Sequence, residues 1–182
     1  MKIAVYHPWI YLKSGLERTI LELAKRSKHD LVIYTSHYDA ERTYPELRQY
    51  DIREINPVSV DRDYLSVLKA GKNILLTKLD ETDIDALVIC CDGLGSLLNI
   101  RNNRVPIINL CFTPLRAVYD MEYRRRHYEK HSGKRWLAFV IEKTFKVIDK
   151  LLWARYDHII SISETVTKRI ETAGLAKRER IS

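Results

Sequence analysis

The sequence predicts an α/β fold: a Rossmann-like, three-layer domain on a mostly parallel sheet. Three observations carry this expectation. Short apolar runs alternate with amphipathic stretches of helical period from one end of the chain to the other. Two of those runs, residues 86–91 and 105–112, are almost continuously apolar, as strands covered on both faces are. The chain has 182 residues, 46% hydrophobic and 30% charged, enough for one domain with a sizeable core.

Residues 2–7 form the first strand, and 8–15 its loop. From Leu16, apolar residues recur at Ile20, Leu21, Leu23 and Ala24 with charges between them, the pattern of a helix lying on a sheet. Residues 31–35 are the second strand. The stretch 36–57 is less regular, with a short helix near 45–50 and a strand at 51–55. Residues 64–79 are helical, with Leu65, Leu68, Ile74, Leu75 and Leu79 as the inward stripe. The runs 86–91 and 105–112 follow as strands, the second entered through Pro106. Two helical stretches come next, broken at Ser132-Gly133. A strand at 158–160 and a helix from Ser163 complete the alternation. The residues Arg178-Glu179-Arg180-Ile181-Ser182 look like the start of another strand, and there the sequence ends. On this reading the chain, residues 1–182, is a single Rossmann-like lobe of a two-lobed protein and carries only part of a site.

Composition narrows the function classes. No apolar run approaches the roughly 20 residues of a membrane span. The first strand is interrupted by His7-Pro8 and is too short for a signal-peptide core. Cys90 and Cys91 are adjacent and Cys111 sits in another apolar run, so all three read as reduced core residues of a cytoplasmic protein. No cysteine pair has zinc-ligand spacing, and His127 with His131 lies in a basic stretch that suits a solvated face better than a metal; no metal and no cofactor are expected. The net charge is +7, and residues 116–155 hold eleven Lys/Arg against five Asp/Glu, a net +6. A regional basic patch favours phosphate-bearing partners.

In a parallel sheet, ligands gather where the carboxyl ends of the strands meet. Gly15 stands there, just before a helix: it lets a phosphate approach free backbone N–H groups, or it is a plain turn residue. One glycine is too few for a dinucleotide fingerprint, and no Walker A motif is present. Thr113 and Arg116 emerge directly after a buried strand. Arg116 suits a bidentate phosphate contact, and equally an ion pair with Asp120 one helical turn on. Ser163 is a natural N-cap. Asp92-Gly93-Leu94-Gly95-Ser96 follows another buried strand and reads as a tight turn or as a cradle for a hydroxyl or phosphate. His7 ends the first strand beside the glycine loop.

The helix from Arg135 to Arg155 presents two apolar surfaces. Leu137, Ile141, Phe145, Ile148 and Leu152 suit the core. Phe139, Lys143, Lys146, Lys150 and Trp153 gather on another face and suit an anionic membrane surface, with the aromatic rings in the headgroup layer and the ammonium groups snorkelling; Arg124-Arg125-Arg126, Lys130 and Lys134 extend the charge. The alternative packs Phe139 and Trp153 against neighbouring elements and leaves the lysines solvated.

Taken in order, these segments resemble a known family. Ser14-Gly15-Leu16-Glu17-Arg18 with Leu21-Glu22-Leu23-Ala24 is similar to the Gly-Gly-x-Glu-Arg loop and first helix of glycosyltransferase family 4. Thr113-Pro114-Leu115-Arg116 with Tyr119-Asp120 resembles its His-Thr-Pro-x-Arg segment, and Ser161-Ile162-Ser163-Glu164 with Lys168-Arg169-Ile170 its late Asn-Ser strand–helix junction. Three positions depart from the pattern: Ser14 replaces the first glycine, Phe112 the family histidine, and Ile162 the usual asparagine.

The resemblance implies the acceptor-side lobe of a retaining enzyme of GT-B architecture, with a nucleotide-diphosphate sugar as donor and a glycan or lipid-linked acceptor. Ser14 and Gly15 would then meet the donor diphosphate, most of which is held by a second lobe. His7, Arg18, Asp92, Thr113 and Arg116 would line the acceptor side. The location implied is cytoplasmic, peripheral at the inner face of the membrane if the basic helix docks there. The rival reading is a stand-alone module that binds a phosphorylated lipid or nucleic acid through the basic region; Tyr123, Tyr128 and Trp136 would suit RNA, but no RNA motif is recognisable.

Overall fold

A computed structural model describes residues 1–61, 64–80, 83–90, 93–123 and 135–182, with the backbone only for residues 64 and 135–141. The apolar runs become strands β1 (Lys2–Tyr6), β2 (Asp30–Thr35), β3 (Ile52–Glu54), β4 (Ala86–Ile89), β5 (Ile107–Cys111) and β6 (His158–Ser161). They form one six-stranded sheet in the order β3-β2-β1-β4-β5-β6. Every pairing is parallel, with Val5 opposite both Ile33 and Val88, and Leu110 opposite Ile160. Each strand lies within a run read from the sequence, apart from an extra residue at the start of β2 and at the end of β6. Ile181 adds a parallel bridge to Ile159, with Ser182 N–H donating to the Ile159 carbonyl at 2.9 Å.

The connections use helices α1 (Gly15–Arg26), α2 (Tyr64–Leu76), α3 (Arg116–Tyr119), α4 (Arg135–Trp153) and α5 (Glu164–Thr172). They also use 3-10 turns at Pro45–Gln49, Leu94–Ile100 and Arg178–Arg180. The chain leaves β1 toward β2 and β3, then crosses back to β4 on the other side of β1. Right-handed crossovers in opposite directions place helices on opposite faces. Two cores result. One packs Ile20 and Leu21 of α1 and Leu47 against Val5 and Ile33. The other packs Ala70 and Ile74 of α2, Leu98, Trp153, and Val166 and Ile170 of α5 against Ala4, Leu87, Ile89, Cys111 and Ile159. Cys90 and Cys111 are buried and outside any disulfide. Among the described residues, no helix is long and apolar enough to cross a membrane.

Two helical faces differ from the sequence expectation. In α2 the buried residues are Ala70, Gly71 and Ile74, while Leu65 and Leu68 are exposed. A Cβ on Gly71 would lie 3.4 Å from Leu94 and 3.5 Å from Leu97. Small residues let α2 press against the 3-10 turn, and that contact sets its rotation in place of the leucines. In α4 the inward residues are Glu142, Asp149, Leu152 and Trp153, and Trp153 is only 1% exposed. Trp153 is therefore a core residue and not part of a membrane-facing surface. Lys146 is likewise turned to the fold: its ammonium group is 2.8 Å from the buried Glu142 carboxylate and 5.8 Å from the centre of the Tyr119 ring. Ile148, expected in the core stripe, is exposed. The side chains of Leu137, Phe139, Ile141 and Trp136, the break at Ser132-Gly133, and the residues Tyr128, Lys130 and Lys134 with Arg124-Arg125-Arg126 and His127 and His131 lie outside the described residues.

Candidate functional site

The carboxyl ends of β1 and β4 are neighbours, yet their outgoing connections run to opposite faces. That divergence opens a crevice at this point of an α/β sheet. His7 stands on it. Its N–H donates to the Tyr34 carbonyl at 3.0 Å, which ties it to β2. Its ring Nδ1 donates to the Cys90 carbonyl at 2.5 Å, which ties it to β4. Burial lowers the ring's pKa to about 4, outweighing the opposing pull of the Cys90 carbonyl and of Glu17. His7 is therefore a neutral strut that fixes the spacing of the two loops.

The loop after β1 is held shut from several sides. Ile10 N–H donates to the His37 carbonyl at 2.8 Å, and Thr43 Oγ1 donates to the Leu12 carbonyl at 3.0 Å. Glu17 closes the turn, although the chemistry legible in the sequence did not single it out as a site residue. It is buried, accepts the Leu12 N–H at 3.3 Å and accepts the Ser14 hydroxyl. Ser14 Oγ in turn accepts the Leu16 N–H at 3.2 Å as N-cap of α1. The Ser-x-x-Glu spacing of a capping box was the available signal. Arg18 follows, exposed, with its backbone N–H on the Ser14 carbonyl at 3.1 Å.

Gly15 opens α1, and a Cβ built on it would meet nothing within 4 Å. Its backbone is not among the left-handed ones, which among the described residues belong to Asn56, Gly93 and Gly174. The glycine is thus not required by the turn. What it leaves is open space over a helix N-terminus. Gly93, after β4, is the opposite case: φ is 88° and a Cβ would come within 3.1 Å of Leu115. The β4 loop thereby closes onto the β5 loop. Asp92 lies outside the described residues.

After β5, Thr113 and Arg116 emerge at this same edge. Thr113 Oγ1 accepts from Arg169 of α5 at 3.3 Å. Arg116 Nε is 3.1 Å from Asp120 Oδ2, and its guanidinium lies 5.2 Å from the centre of the Tyr123 ring. Of the two roles open to Arg116, the ion pair is present. The Tyr123 N–H and Arg116 hold the Asp120 carboxyl below its usual range. After β6, Ser163 Oγ accepts the Val166 N–H at 3.3 Å, which is N-capping.

The segment is anchored from behind. Tyr119 donates its hydroxyl to Asp149 Oδ2 at 2.8 Å. Asp149 is buried on α4, and burial raises its carboxyl to about 6 despite hydrogen bonds from Tyr119 and Trp153. The same burial, with the Asp149 charge, raises the Tyr119 phenol. The structure thus brings His7, Ser14, Gly15, Thr113 and Arg116 to one edge of the sheet. Lys146 and Trp153 of the expected membrane face point into the fold, and Lys143 and Lys150 point out. Among the described residues, no group of three His, Cys, Asp or Glu is placed to hold a metal ion.

No protein-family model matches the chain, and no curated protein matches it by sequence. Solved structures do match it in shape. One is the apo form of the lipopolysaccharide outer core galactosyltransferase WaaB, with TM-score 0.58, 14% identity, and coverage of 100% of this chain and 44% of that one. Another is UDP-GlcNAc 2-epimerase from Neisseria meningitidis bound to UDP-GlcNAc, with TM-score 0.57, 13% identity, and coverage of 100% and 46%. A further UDP-N-acetylglucosamine 2-epimerase gives TM-score 0.53, 10% identity, and coverage of 99% and 44%. The fold is shared. The chain spans less than half the length of these proteins. At such identities the likeness concerns the Rossmann-like fold of GT-B-type proteins and leaves the chemistry to the site.

Proposed function

We propose that this chain is the acceptor-binding lobe of a retaining glycosyltransferase that moves a sugar from a nucleotide-diphosphate sugar to a glycan or lipid-linked acceptor in the cytoplasm. One observation carries the reading. Three segments about a hundred and fifty residues apart at the extremes, Ser14–Arg18, Thr113–Arg116 and Ser161–Glu164, stand after β1, β5 and β6 at the same edge of one sheet. These are the segments whose order resembles glycosyltransferase family 4. The open space over Gly15 suits a diphosphate that contacts backbone N–H groups at the start of α1. The transfer itself would rely on positioning and electrostatic stabilisation across a cleft, with most donor contacts on a second lobe.

A second reading has a specific observation behind it: two of the solved structures that match in shape are named as 2-epimerases of a nucleotide sugar. The test separates the two. The protein, as this chain and as any longer product of its reading frame, is incubated with a panel of nucleotide sugars, with and without membrane extract as acceptor source. Release of free nucleotide diphosphate that depends on acceptor, with the sugar's anomeric configuration kept, supports the transferase. Conversion of the nucleotide sugar to its epimer without acceptor supports the rival. No binding of any nucleotide sugar by the longer product overturns both.

A further inference from the structure

Helix α4 buries Leu152 and Trp153, but along the rest of its described length the amphipathic order is reversed. Both carboxylates of its described side chains, Glu142 and Asp149, are buried, whereas Val147 is 63%, Ile148 42% and Leu151 65% exposed. Burying acids while leaving branched aliphatics in water runs against the usual amphipathic order of a surface helix. Part of the reason lies inside: Glu142 pairs with Lys146, and Asp149 receives the Tyr119 hydroxyl. The outer face needs its own reason. Spacings of one, three and four residues place Val147, Ile148 and Leu151 on one ridge. Exposed Lys143 and Lys150 lie one helical turn from Val147 on either side of it, and exposed Arg155 follows just past the helix end. Lys150 reaches along the surface, with its Nζ 3.3 Å from where a Cβ on Gly174 would stand. All the charge that this outer face presents among the described side chains is positive. It belongs to the stretch that holds six of the chain's seven net positive charges.

We propose that the ridge Val147–Ile148–Leu151, with Lys143, Lys150 and Arg155 around it, is a docking surface for an anionic lipid bilayer. Aliphatic side chains bordered by long cations match the layered chemistry of such a surface: the alkyl groups enter the headgroup–acyl boundary, and the ammonium and guanidinium groups stay with the lipid phosphates. A protein partner with an acidic rim, or a second copy of this chain, is the competing occupant. The second copy is disfavoured by charge, because pairing the face with itself would bring its cations together. The inference concerns a face separate from the strand-end crevice and holds whatever reaction the crevice performs.

The test is co-sedimentation of the chain with phosphatidylcholine vesicles, with and without phosphatidylglycerol, at low and high salt. Binding should require the anionic lipid and fall with salt. Each basic residue at such a surface contributes about fivefold in partitioning, so Lys143→Gln with Lys150→Gln should weaken binding about 25-fold. Val147→Gln with Leu151→Gln should also release the protein while leaving its melting temperature unchanged, since both side chains are exposed. Equal recovery in the supernatant with both vesicle types overturns the proposal. So does retention of vesicle binding by the Val147→Gln, Leu151→Gln protein. A concentration-dependent dimer, abolished by those same substitutions in a protein that ignores vesicles, assigns the ridge to a second copy and overturns it too.

Discussion

His7 and Asp149 should make opposite contributions to stability across the same span of pH. His7 is held neutral, with its pKa lowered from 6.5 to about 4. Below 6.5 the unfolded chain takes up a proton that the native ring refuses, so acidification removes stability until about pH 4. Asp149 is raised from 3.8 to about 6. Below pH 6 the native carboxyl takes up a proton that the unfolded chain does not yet bind, so acidification adds stability until about pH 3.8. Each pH unit of separation is worth about 1.4 kcal/mol, so each group moves stability by about 3 kcal/mol over its window. The two nearly cancel between pH 4 and 6. Removing either one uncovers the other. The assay is urea or thermal unfolding of the wild type, His7→Asn and Asp149→Asn from pH 4 to 8. Asparagine at position 7 keeps a donor for the Cys90 carbonyl. Relative to wild type, His7→Asn should gain stability as pH falls below 6.5, and Asp149→Asn should lose it below pH 6. For a chain of this size about 3 kcal/mol corresponds to about 6–12 °C in melting temperature. Exposed carboxylates titrate alike in all three proteins and drop out of the differences. Difference curves that are flat, or that run in the same direction, would refute the burial argument for one group or both.

Three further outcomes follow from particular contacts. Gly15→Val should leave the melting temperature within a degree or so, because nothing stands within 4 Å of the new Cβ, yet in the two-lobed enzyme, since this lobe alone should be inactive, lower kcat of sugar transfer about 10–100-fold by displacing the diphosphate; unchanged kcat in a folded two-lobed protein would make Gly15 a plain turn residue. If Arg116 leaves Asp120 to grip an acceptor phosphate, Arg116→Lys should raise acceptor KM, since an ammonium group cannot reproduce the guanidinium fork, while acceptor kinetics that do not move would leave it in the ion pair. Trp153→Ala should destabilise the fold by about 3–5 kcal/mol in urea unfolding, because the indole is buried against Tyr156 and bonded to Asp149; a loss under 1 kcal/mol would return Trp153 to the surface.

The alternation of strands and helices, and the strand positions to within a residue or two, were legible in the amino-acid order alone, whereas α2 ends at Leu76 and not at Leu79, and the 3-10 turn Leu94–Ile100 was not foreseen. Apolar runs of four to six residues between amphipathic stretches leave few other arrangements, since backbone hydrogen bonding and burial of one face per element are local demands. The strand-end loops were legible too: Thr113 follows directly on one strand run, Ser163 comes shortly after another, and Ser14 and Gly15 close the loop that leads from the first run into α1. The remaining choices belong to the packed chain. In α2, the Gly71 contact with Leu94 and Leu97 chose the buried face over a leucine stripe that looked equally suited to the core. In α4, two apolar faces competed in the sequence, and the face turned inward carries Glu142, Asp149, Leu152 and Trp153, with Tyr119 of α3 bonded to Asp149. The Arg116–Asp120 ion pair also needed coordinates, as did the His7 bond across to Cys90, 83 residues away. Periodicity records what a residue can bury. Which of several admissible faces is buried depends on the element that packs against it, and that element lies far along the chain.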